Sequence, residues 1–102
     1  MHKILVFMLT LAIYDITDTK NRTKLSKHLK RYGFYRVQKS GFLGEIDSND
    51  RAILNKELKQ YIKDENDSIY VIPLTEPSAS MCRIIAKKDL EIGVGGKIKV
   101  VG

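Results

Sequence analysis

The chain has 102 residues, of which 43% are hydrophobic and 29% are charged; this leaves room for one ordinary globular domain and excludes a disordered or low-complexity chain. Its one cysteine, Cys82, excludes an internal disulfide and a structural zinc cluster built on cysteines, and we expect it to be a small buried residue in a reducing cytoplasm. The formal net charge of +6 favours partners of negative charge.

The first predicted element is a buried central strand over residues 4–14, which are mostly aliphatic. This run is far shorter than the roughly 20 residues that span a bilayer. No small-residue cleavage site precedes the polar stretch that begins at Asp15. We therefore expect no membrane segment and a cytoplasmic protein.

A basic amphipathic helix is predicted next, over residues 20–32. Thr17 or Asp18 is positioned as its N-cap, and Gly33 is positioned to end it. Its apolar residues recur at the spacing of one helical face: Leu25, Leu29 and Tyr32.

The positive charge of the chain is concentrated on this helix and the segment after it. No acidic residue occurs between Asp18 and Glu45, a window that holds eight of the basic residues. The other 10 basic and 12 acidic residues leave a net charge of −2 elsewhere. A focused positive field attracts polyanions, although a basic helical face can equally be a solvated surface.

The following residues predict a further strand pair, a second helix and a fourth strand. Residues 34–46 predict two strands with a tight turn or bulge near Ser40-Gly41. Residues 48–50 are predicted to cap a helix that runs to about Lys63, and residues 68–74 predict a strand ended by Pro73. The predicted inner face of that helix comprises Leu54, Leu58, Tyr61 and Ile62.

The element order β-α-β-β-α-β predicts an α+β fold of the ferredoxin-like type over residues 1–75. Two helices would cover one face of a four-stranded antiparallel sheet. Nothing in the chain is predicted to cover the other face, which favours a homodimer.

Residues 76–102 form a predicted C-terminal tail. Short apolar stretches at residues 81–86 and 97–101 flank a glycine cluster at residues 93–96. We interpret this cluster as a hairpin turn, because no helix pattern follows it as a phosphate loop requires. The last stretch predicts an added C-terminal strand that pairs within the chain or across the dimer, and the tail is expected to pack at the dimer interface.

Several short motifs follow one another in order on these elements and carry a family likeness. They are Tyr14-Asp15-Ile16, then Arg22, Lys24 and Leu25, then Gly33, Arg36-Val37-Gln38, Ser40, Phe42, Gly44 and the strand at residues 68–74. Their order and spacing over about residues 8–75 closely resemble the CRISPR-associated protein two family, the smaller partner of the spacer-acquisition pair.

This resemblance implies a homodimer that binds nucleic acid together with a CRISPR integrase subunit during spacer acquisition. It also implies a Mg²⁺-dependent endonuclease, with Mn²⁺ as an alternative ion, acting on single-stranded RNA or double-stranded DNA. In the family pattern Asp15 matches the metal-binding and catalytic aspartate, and Tyr14 its catalytic neighbour. Nucleic-acid contacts are implied at four positions: Arg22, Lys24, Arg36 and Phe42.

Two features depart from the family pattern. Leu43 stands where the family often has an acidic residue. The first strand is also longer than usual, and Met8 is a more typical start, so residues 1–7 are interpreted as an extension or as the product of a misplaced start codon.

A lone aspartate is a poor Mg²⁺ site, because the ion prefers an octahedral shell of oxygen ligands. A two-fold axis that brings together Asp15 of both chains would supply paired carboxylates. The alternative for Asp15 is a strand-end residue that caps the next helix. For Arg22 and Arg36 the alternative is a solvated surface, and for Phe42 packing in the core or at an interface is favoured over stacking on a base. His28 is expected to be a partly buried structural residue.

Three other functions remain as alternatives at this stage. One is a toxin-type ribonuclease of the virulence-associated D kind, which resembles this fold. Another is a purely architectural DNA-binding subunit without catalysis. An RNA-recognition module is disfavoured, because its paired aromatic strand motifs are missing.

Overall fold

The computed structural model describes residues 6–86 and 99–101. In chain order its elements are β1 (Phe7–Asp15), α1 (Thr19–Arg31), β2 (Tyr35–Gln38), β3 (Gly41–Asp47), α2 (Ser48–Glu57) with a 3-10 helix (Leu58–Tyr61), β4 (Ser68–Leu74), α3 (Glu76–Met81), β5 (Arg83–Ile85) and β6 (Lys99–Val101). Strands β1 to β4 form an antiparallel sheet in the order β2-β3-β1-β4. The predicted ferredoxin-like α+β arrangement is confirmed; the part of the predicted first strand at residues 4 and 5 lies outside the described residues.

One face of the sheet packs against α1, α2 and the 3-10 helix. The buried residues of this main core are Ala12, Tyr14, Ile16, Leu25, Leu29, Phe34, Phe42, Ile46, Leu54, Leu58 and Tyr61. The helical members recur at the spacing that places them on one stripe, so each helix lays its apolar side on the sheet. This packing fixes the ends of β1 and β3 relative to α1.

Both ends of α1 are as predicted. The carboxylate of Asp18 accepts a hydrogen bond from the backbone N–H of Asn21 at 2.8 Å, which makes Asp18 the N-cap. Gly33 has a φ of 86°, and it donates to the carbonyl of Lys30, while Phe34 donates to the carbonyl of Leu29. These two bonds form the glycine-dependent termination that a side chain at position 33 would strain.

Three details of the predicted second helix and fourth strand were wrong. The N-cap of α2 is Asp47, the last residue of β3, whose carboxylate accepts from the N–H of Asp50 at 2.9 Å. The helix tightens into the 3-10 helix after Glu57, and the chain is extended again at Ile62, which is therefore 44% exposed rather than part of the inner face. Pro73 does not end β4, because β4 is an edge strand of the sheet and a proline there costs no ladder hydrogen bond.

The second face of the sheet is partly covered by the chain itself, contrary to prediction. Helix α3 places Ala79 against Leu9 and Leu43, and Cys82 and Ile84 pack on the same cluster. The sequence signal for α3 is Thr75 as N-cap with Pro77 in the first turn. Leu43 thus has a packing role on this face.

The predicted C-terminal strand is present as β6, which pairs with β5 in parallel. Because they are parallel, β5 and β6 are not the two strands of one hairpin. The glycine cluster, which the sequence predicts as a hairpin turn, lies outside the described residues. Among the helices of the described residues, none has the length and apolar character needed to cross a bilayer. The division into residues 1–75 and 76–102, and packing of the tail at a dimer interface, stay predictions.

Candidate active site and nucleic-acid interface

A groove of about 340 Å³ opens where β1 ends and α1 begins. It is lined by residues from β1 and the following loop, from one side of α1 and from the β2–β3 turn: Tyr14, Asp15, Ile16, Thr19, Arg22, Thr23, Ser26, Arg36, Lys39 and Ser40. Four of the six residues that the sequence singled out therefore meet in one place. Lys24 is exposed on α1 and does not line the groove. Phe42 does not line the groove either, because it is buried in the core.

Asp15 is the last residue of β1 and its side chain is exposed. Its carboxylate has no hydrogen-bond partner among the described residues. The backbone around it is held on both sides: Tyr14 donates its N–H to the carbonyl of Ser40 at 3.0 Å, and Asp15 lies opposite Ser68 of β4. A fixed backbone that carries a free carboxylate suits a metal or a phosphate-bound cation.

The helix cap that was the alternative role for Asp15 is taken by Asp18. In the described structure Asp15 therefore does not cap α1. Its role as metal ligand and catalytic residue stays a prediction.

Arg22 is half-buried, and its guanidinium bonds to the loop between β1 and α1. It donates to the carbonyl of Ile16 at 3.1 Å and to the hydroxyl of Thr19 at 2.9 Å, and it approaches the carbonyl of Thr17 at 3.5 Å. A guanidinium has five N–H donors in a planar fork, so donors remain for a phosphate. Arg22 thus braces the loop as well as lining the groove.

Arg36 lies on the opposite wall of the groove. Its guanidinium carbon is 4.8 Å from the centre of the Phe42 ring, and one N–H donates to the carbonyl of Lys39 at 2.6 Å. Phe42 is fully buried and stacks against Tyr14 with a centroid distance of 6.2 Å. The ring of Phe42 is therefore not available to a base, and the packing role that the sequence favoured is the one observed.

Tyr14 is 5% exposed, so its side chain belongs to the core, although the residue also lines the groove. The sequence did not single out Lys39 or the hydroxyls of Thr19 and Ser40 as site residues. Lys39 belongs to the acid-free window; its position at the strand turn was the signal that could have found it.

Asp67, which lies just before β4, binds the loop that follows Asp15. One carboxylate oxygen accepts from the N–H of Thr17 at 2.8 Å, and the other accepts from the N–H groups of Lys63 at 3.0 Å and Asp64 at 2.9 Å. These backbone donors, first that of Thr17, lower the pKa of Asp67 to about 2. Asp67 was not among the residues that the sequence singled out.

The residues of the groove fit one part of a Mg²⁺ site. No group of three or more carboxylate, imidazole or thiol side chains converges anywhere in residues 6–86 and 99–101. The free carboxylate of Asp15 is a hard oxygen ligand of the kind Mg²⁺ prefers. One chain offers one such ligand, so a second carboxylate and the phosphate of a substrate are needed to complete a shell.

His28 belongs to a separate buried network behind the groove. Its Nε2 lies 3.0 Å from Glu57 and its Nδ1 lies 2.8 Å from the hydroxyl of Tyr61, while Tyr32 donates to Glu57 at 2.5 Å. Because a carboxylate only accepts, neutral His28 carries its proton on Nε2. The network joins α1 to α2 and the 3-10 helix, in keeping with the structural role expected of His28.

Comparison with known proteins gives consistent matches. A family model described as CRISPR associated protein Cas2 matches residues 8–82. The chain is 38% identical over 85 residues to a protein of Archaeoglobus fulgidus named CRISPR-associated endoribonuclease Cas2 1, across 83% of this chain and 90% of that protein. It is 37% identical over 71 residues to a CRISPR-associated endoribonuclease Cas2 of Korarchaeum cryptofilum, across 70% of this chain and 76% of that protein.

Solved structures agree with these sequence matches. A chain of a partial Cas6-RT-Cas1–Cas2 complex superposes with a TM-score of 0.62 and 27% identity, across 85% of this chain and 99% of that one. A hypothetical protein from Thermus thermophilus superposes with a TM-score of 0.63 and 28% identity, across 69% of this chain and 84% of that one. These matches favour the CRISPR-associated interpretation over a toxin-type ribonuclease of the virulence-associated D kind.

Proposed function

The chain belongs to the CRISPR-associated protein Cas2 family, and from that premise we propose that it is a subunit of a spacer-acquisition complex and a Mg²⁺-dependent endonuclease. Two chains would form the active unit, with Asp15 of each contributing one carboxylate. The relatives named endoribonucleases favour RNA as the substrate that is cleaved. The likeness to a chain of a Cas1–Cas2 complex supports an integrase partner.

The observation that carries the proposal is the free carboxylate of Asp15 at the rim of a cationic groove. Arg22, Arg36 and Lys39 line the same groove as this carboxylate, and their three positive charges exceed its single negative charge. Cations at this density favour a phosphate close to the carboxylate, and the carboxylate in turn favours a divalent ion between the two. One chain would thus supply the phosphate-binding cations and one carboxylate ligand, and the second chain would supply the other carboxylate.

Pairing of two chains is supported by the second face of the sheet. Beyond the part covered by α3, this face leaves Tyr70 60% exposed and Ile72 40% exposed, and these residues lie opposite Ile13 and Leu11 of β1. Side chains alternate along a strand, so Asp15 shares the side of β1 that carries Ile13. A second copy packed on this face would therefore bring two Asp15 carboxylates toward each other.

Each groove residue has a definable part in the proposed reaction. Asp15 would hold the ion, and a bound Mg²⁺ would supply Lewis-acid polarisation of the phosphate and of a water molecule. Arg36 and Lys39 would bind phosphate oxygens of the nucleic-acid strand in the groove. The remaining donors of Arg22 would orient the phosphate at the cleaved bond. Tyr14 would border the reacting phosphate where this residue lines the groove.

The test is cleavage of end-labelled single-stranded RNA and of duplex DNA by purified protein with Mg²⁺ or with EDTA. Asp15→Asn removes the charge while keeping the side-chain shape, and we expect the Mg²⁺-dependent rate to fall by about 100-fold or more. Asp50→Asn is the matched control, since Asp50 is exposed in α2 and does not line the groove. Cleavage that survives in Asp15→Asn, or that ignores EDTA, would refute the proposal.

A second candidate, an architectural subunit without catalysis, is favoured by one observation. The guanidinium of Arg22 is engaged with its own chain rather than directed only to the groove. In that case Asp15→Asn would leave nucleic-acid binding unchanged, and neither protein would cleave. Binding of duplex DNA without turnover would establish this alternative.

A further inference from the structure

We infer that Asp67, outside the groove, is a positioning residue for Asp15; this inference rests on the proposed function. Asp67 lies in the loop that leads into β4, and its carboxylate reaches across to the loop that follows β1. Since Ser68 lies opposite Asp15 in the sheet, Asp67 is next to the residue that pairs with Asp15.

The peptide unit between Ile16 and Thr17 is held at both of its polar groups. Its carbonyl accepts from the guanidinium of Arg22 at 3.1 Å, and its N–H donates to Asp67 at 2.8 Å. A cation at the carbonyl end and an anion at the N–H end complement the dipole of the peptide. This peptide unit begins one residue after Asp15, so its orientation limits the backbone that carries the catalytic carboxylate.

Packing holds this segment at Ile16, which is buried in the main core, and the two charged groups hold the peptide unit that follows it. Thr17 and Asp18 are exposed, so their side chains add little burial to hold the loop. The second carboxylate oxygen of Asp67 accepts from Lys63 and Asp64, which anchors Asp67 to the turn before β4. The carboxylate of Asp67 therefore connects Thr17 to the turn before β4. The guanidinium of Arg22 connects the same peptide unit to α1.

The variants Asp67→Ala and Asp67→Asn distinguish the effect of the hydrogen bonds of Asp67 from the effect of its charge. Alanine removes all three hydrogen bonds. Asparagine offers one acceptor oxygen, so it keeps either the bond to Thr17 or the bonds to Lys63 and Asp64, but not both sets. The control is Asp64→Ala, which removes a carboxylate from the same turn. Among the described residues, that carboxylate accepts a hydrogen bond only from the N–H of Asn66, at 2.9 Å.

The first measurement is amide hydrogen exchange of Thr17 in the full-length chain, which does not depend on catalysis. We expect exchange at Thr17 to be faster by about 10-fold in Asp67→Ala, intermediate in Asp67→Asn and unchanged in Asp64→Ala. The rest of the sheet should keep its protection, which shows that the variants are folded. Unchanged exchange at Thr17 in Asp67→Ala would overturn the inference.

The second measurement is the steady-state cleavage of RNA with Mg²⁺. A misplaced carboxylate lowers turnover without removing the cations that bind RNA, so kcat should fall by about 10-fold while KM stays within about 2-fold. Asp67→Asn should recover part of this loss. An equal kcat in wild type and Asp67→Ala, with faster exchange at Thr17, would overturn the positioning role.

Failure of the proposed function gives a different pattern. If the wild-type protein does not cleave, the proposed function fails, and broadening of the Asp15 and Ile16 amide signals by Mn²⁺ then tests the inference. Weaker broadening in Asp67→Ala than in Asp64→Ala supports positioning of Asp15. Equal broadening in the two variants refutes it.

Discussion

The guanidinium of Arg36 lies over the ring of Phe42, with 4.8 Å between the guanidinium carbon and the ring centre. Phe42 is fully buried, so a residue of the core supports a cation on the wall of the groove. The face of an aromatic ring attracts a cation, and the carbonyl of Lys39 fixes the other side of the guanidinium. Core packing and the charge of the groove are thereby linked.

Arg36→Ala is expected to weaken binding of single-stranded RNA and to lower its salt dependence. Each phosphate that a protein neutralises contributes about 0.7 to the slope of log K against log salt concentration for a single strand. The slope should therefore decrease by about 0.7 in magnitude. The measurement is a titration of labelled RNA at several salt concentrations.

Arg36→Lys serves as the control for that titration. It keeps the charge and loses the planar fork, so the slope should remain while affinity falls. A slope that is the same in wild type and Arg36→Ala would mean that Arg36 does not contact a phosphate.

Gly44→Ala is expected to destabilise the fold. A Cβ built at Gly44 would lie 2.7 Å from Cγ of Phe34 and 3.1 Å from its Cα. Phe34 is 3% exposed and its backbone cannot retreat, so the free energy of unfolding should fall by about 1–3 kcal/mol. Urea denaturation measures this loss.

The companion of Gly44→Ala is Phe34→Ala, alone and in the double variant, because alanine lacks the Cγ and Cδ1 atoms that the added Cβ would meet. A smaller residue at position 34 relieves part of the clash, so the two changes should cost less together than the sum of their separate effects. Strict additivity would show that Gly44 and Phe34 are not in the tight contact described.

The sequence predicted the sheet and the helices on its first face because their periodicity is strong. The stripe of α1 and the glycine at its end, Gly33, are local signals that tertiary structure did not override. The limits of α2 were harder to predict, because Asp47 is at once the end of β3 and the N-cap of α2. Helix α3 was missed, since six residues are too few to show a period.

The site was predictable where it lies on β1 and α1, and not where it depends on distant contacts. Asp15 and Arg22 are close in sequence, and the family pattern singled out both as candidates. The contact of Asp67 with Thr17 joins residues 50 positions apart, and no local pattern reports such a pair. The contacts of Phe42 with Tyr14 and Arg36 likewise join residues of three strands, which one strand cannot reveal.

Tyr32 is expected to ionise at a higher pH than an ordinary tyrosine, because it donates a hydrogen bond to Glu57. This bond, together with burial and the negative charge of Glu57, raises the pKa of Tyr32 from 10.0 to about 12. A group whose pKa is raised in the folded state contributes stability below its unfolded pKa. That contribution should therefore be full below about pH 10 and be lost as the pH rises toward 12.

Absorbance of tyrosinate during an alkaline titration measures this effect. Glu57→Gln should move the late (high-pH) component to lower pH. Tyr32→Phe should reduce this component and leave the contribution of Tyr61, whose pKa burial also raises. Tyr35→Phe, at a tyrosine that is 44% exposed, should leave the late component in place. A late component of undiminished amplitude in Tyr32→Phe would contradict the assignment.

Ile72→Glu is expected to break the proposed dimer and to abolish Mg²⁺-dependent cleavage. Ile72 lies on the part of the second sheet face that α3 leaves exposed, opposite Leu11. A carboxylate placed there is repelled by its symmetry mate and is costly to bury between two apolar faces.

Ile53→Glu is the matched control, since Ile53 is 50% exposed on α2, away from that face. Sedimentation should show a monomer for Ile72→Glu and an unchanged dimer for Ile53→Glu, and cleavage should be lost only with the dimer, because one Asp15 carboxylate is too few for the ion. A monomeric Ile72→Glu that still cleaves with Mg²⁺ would show that a single chain supplies the whole site.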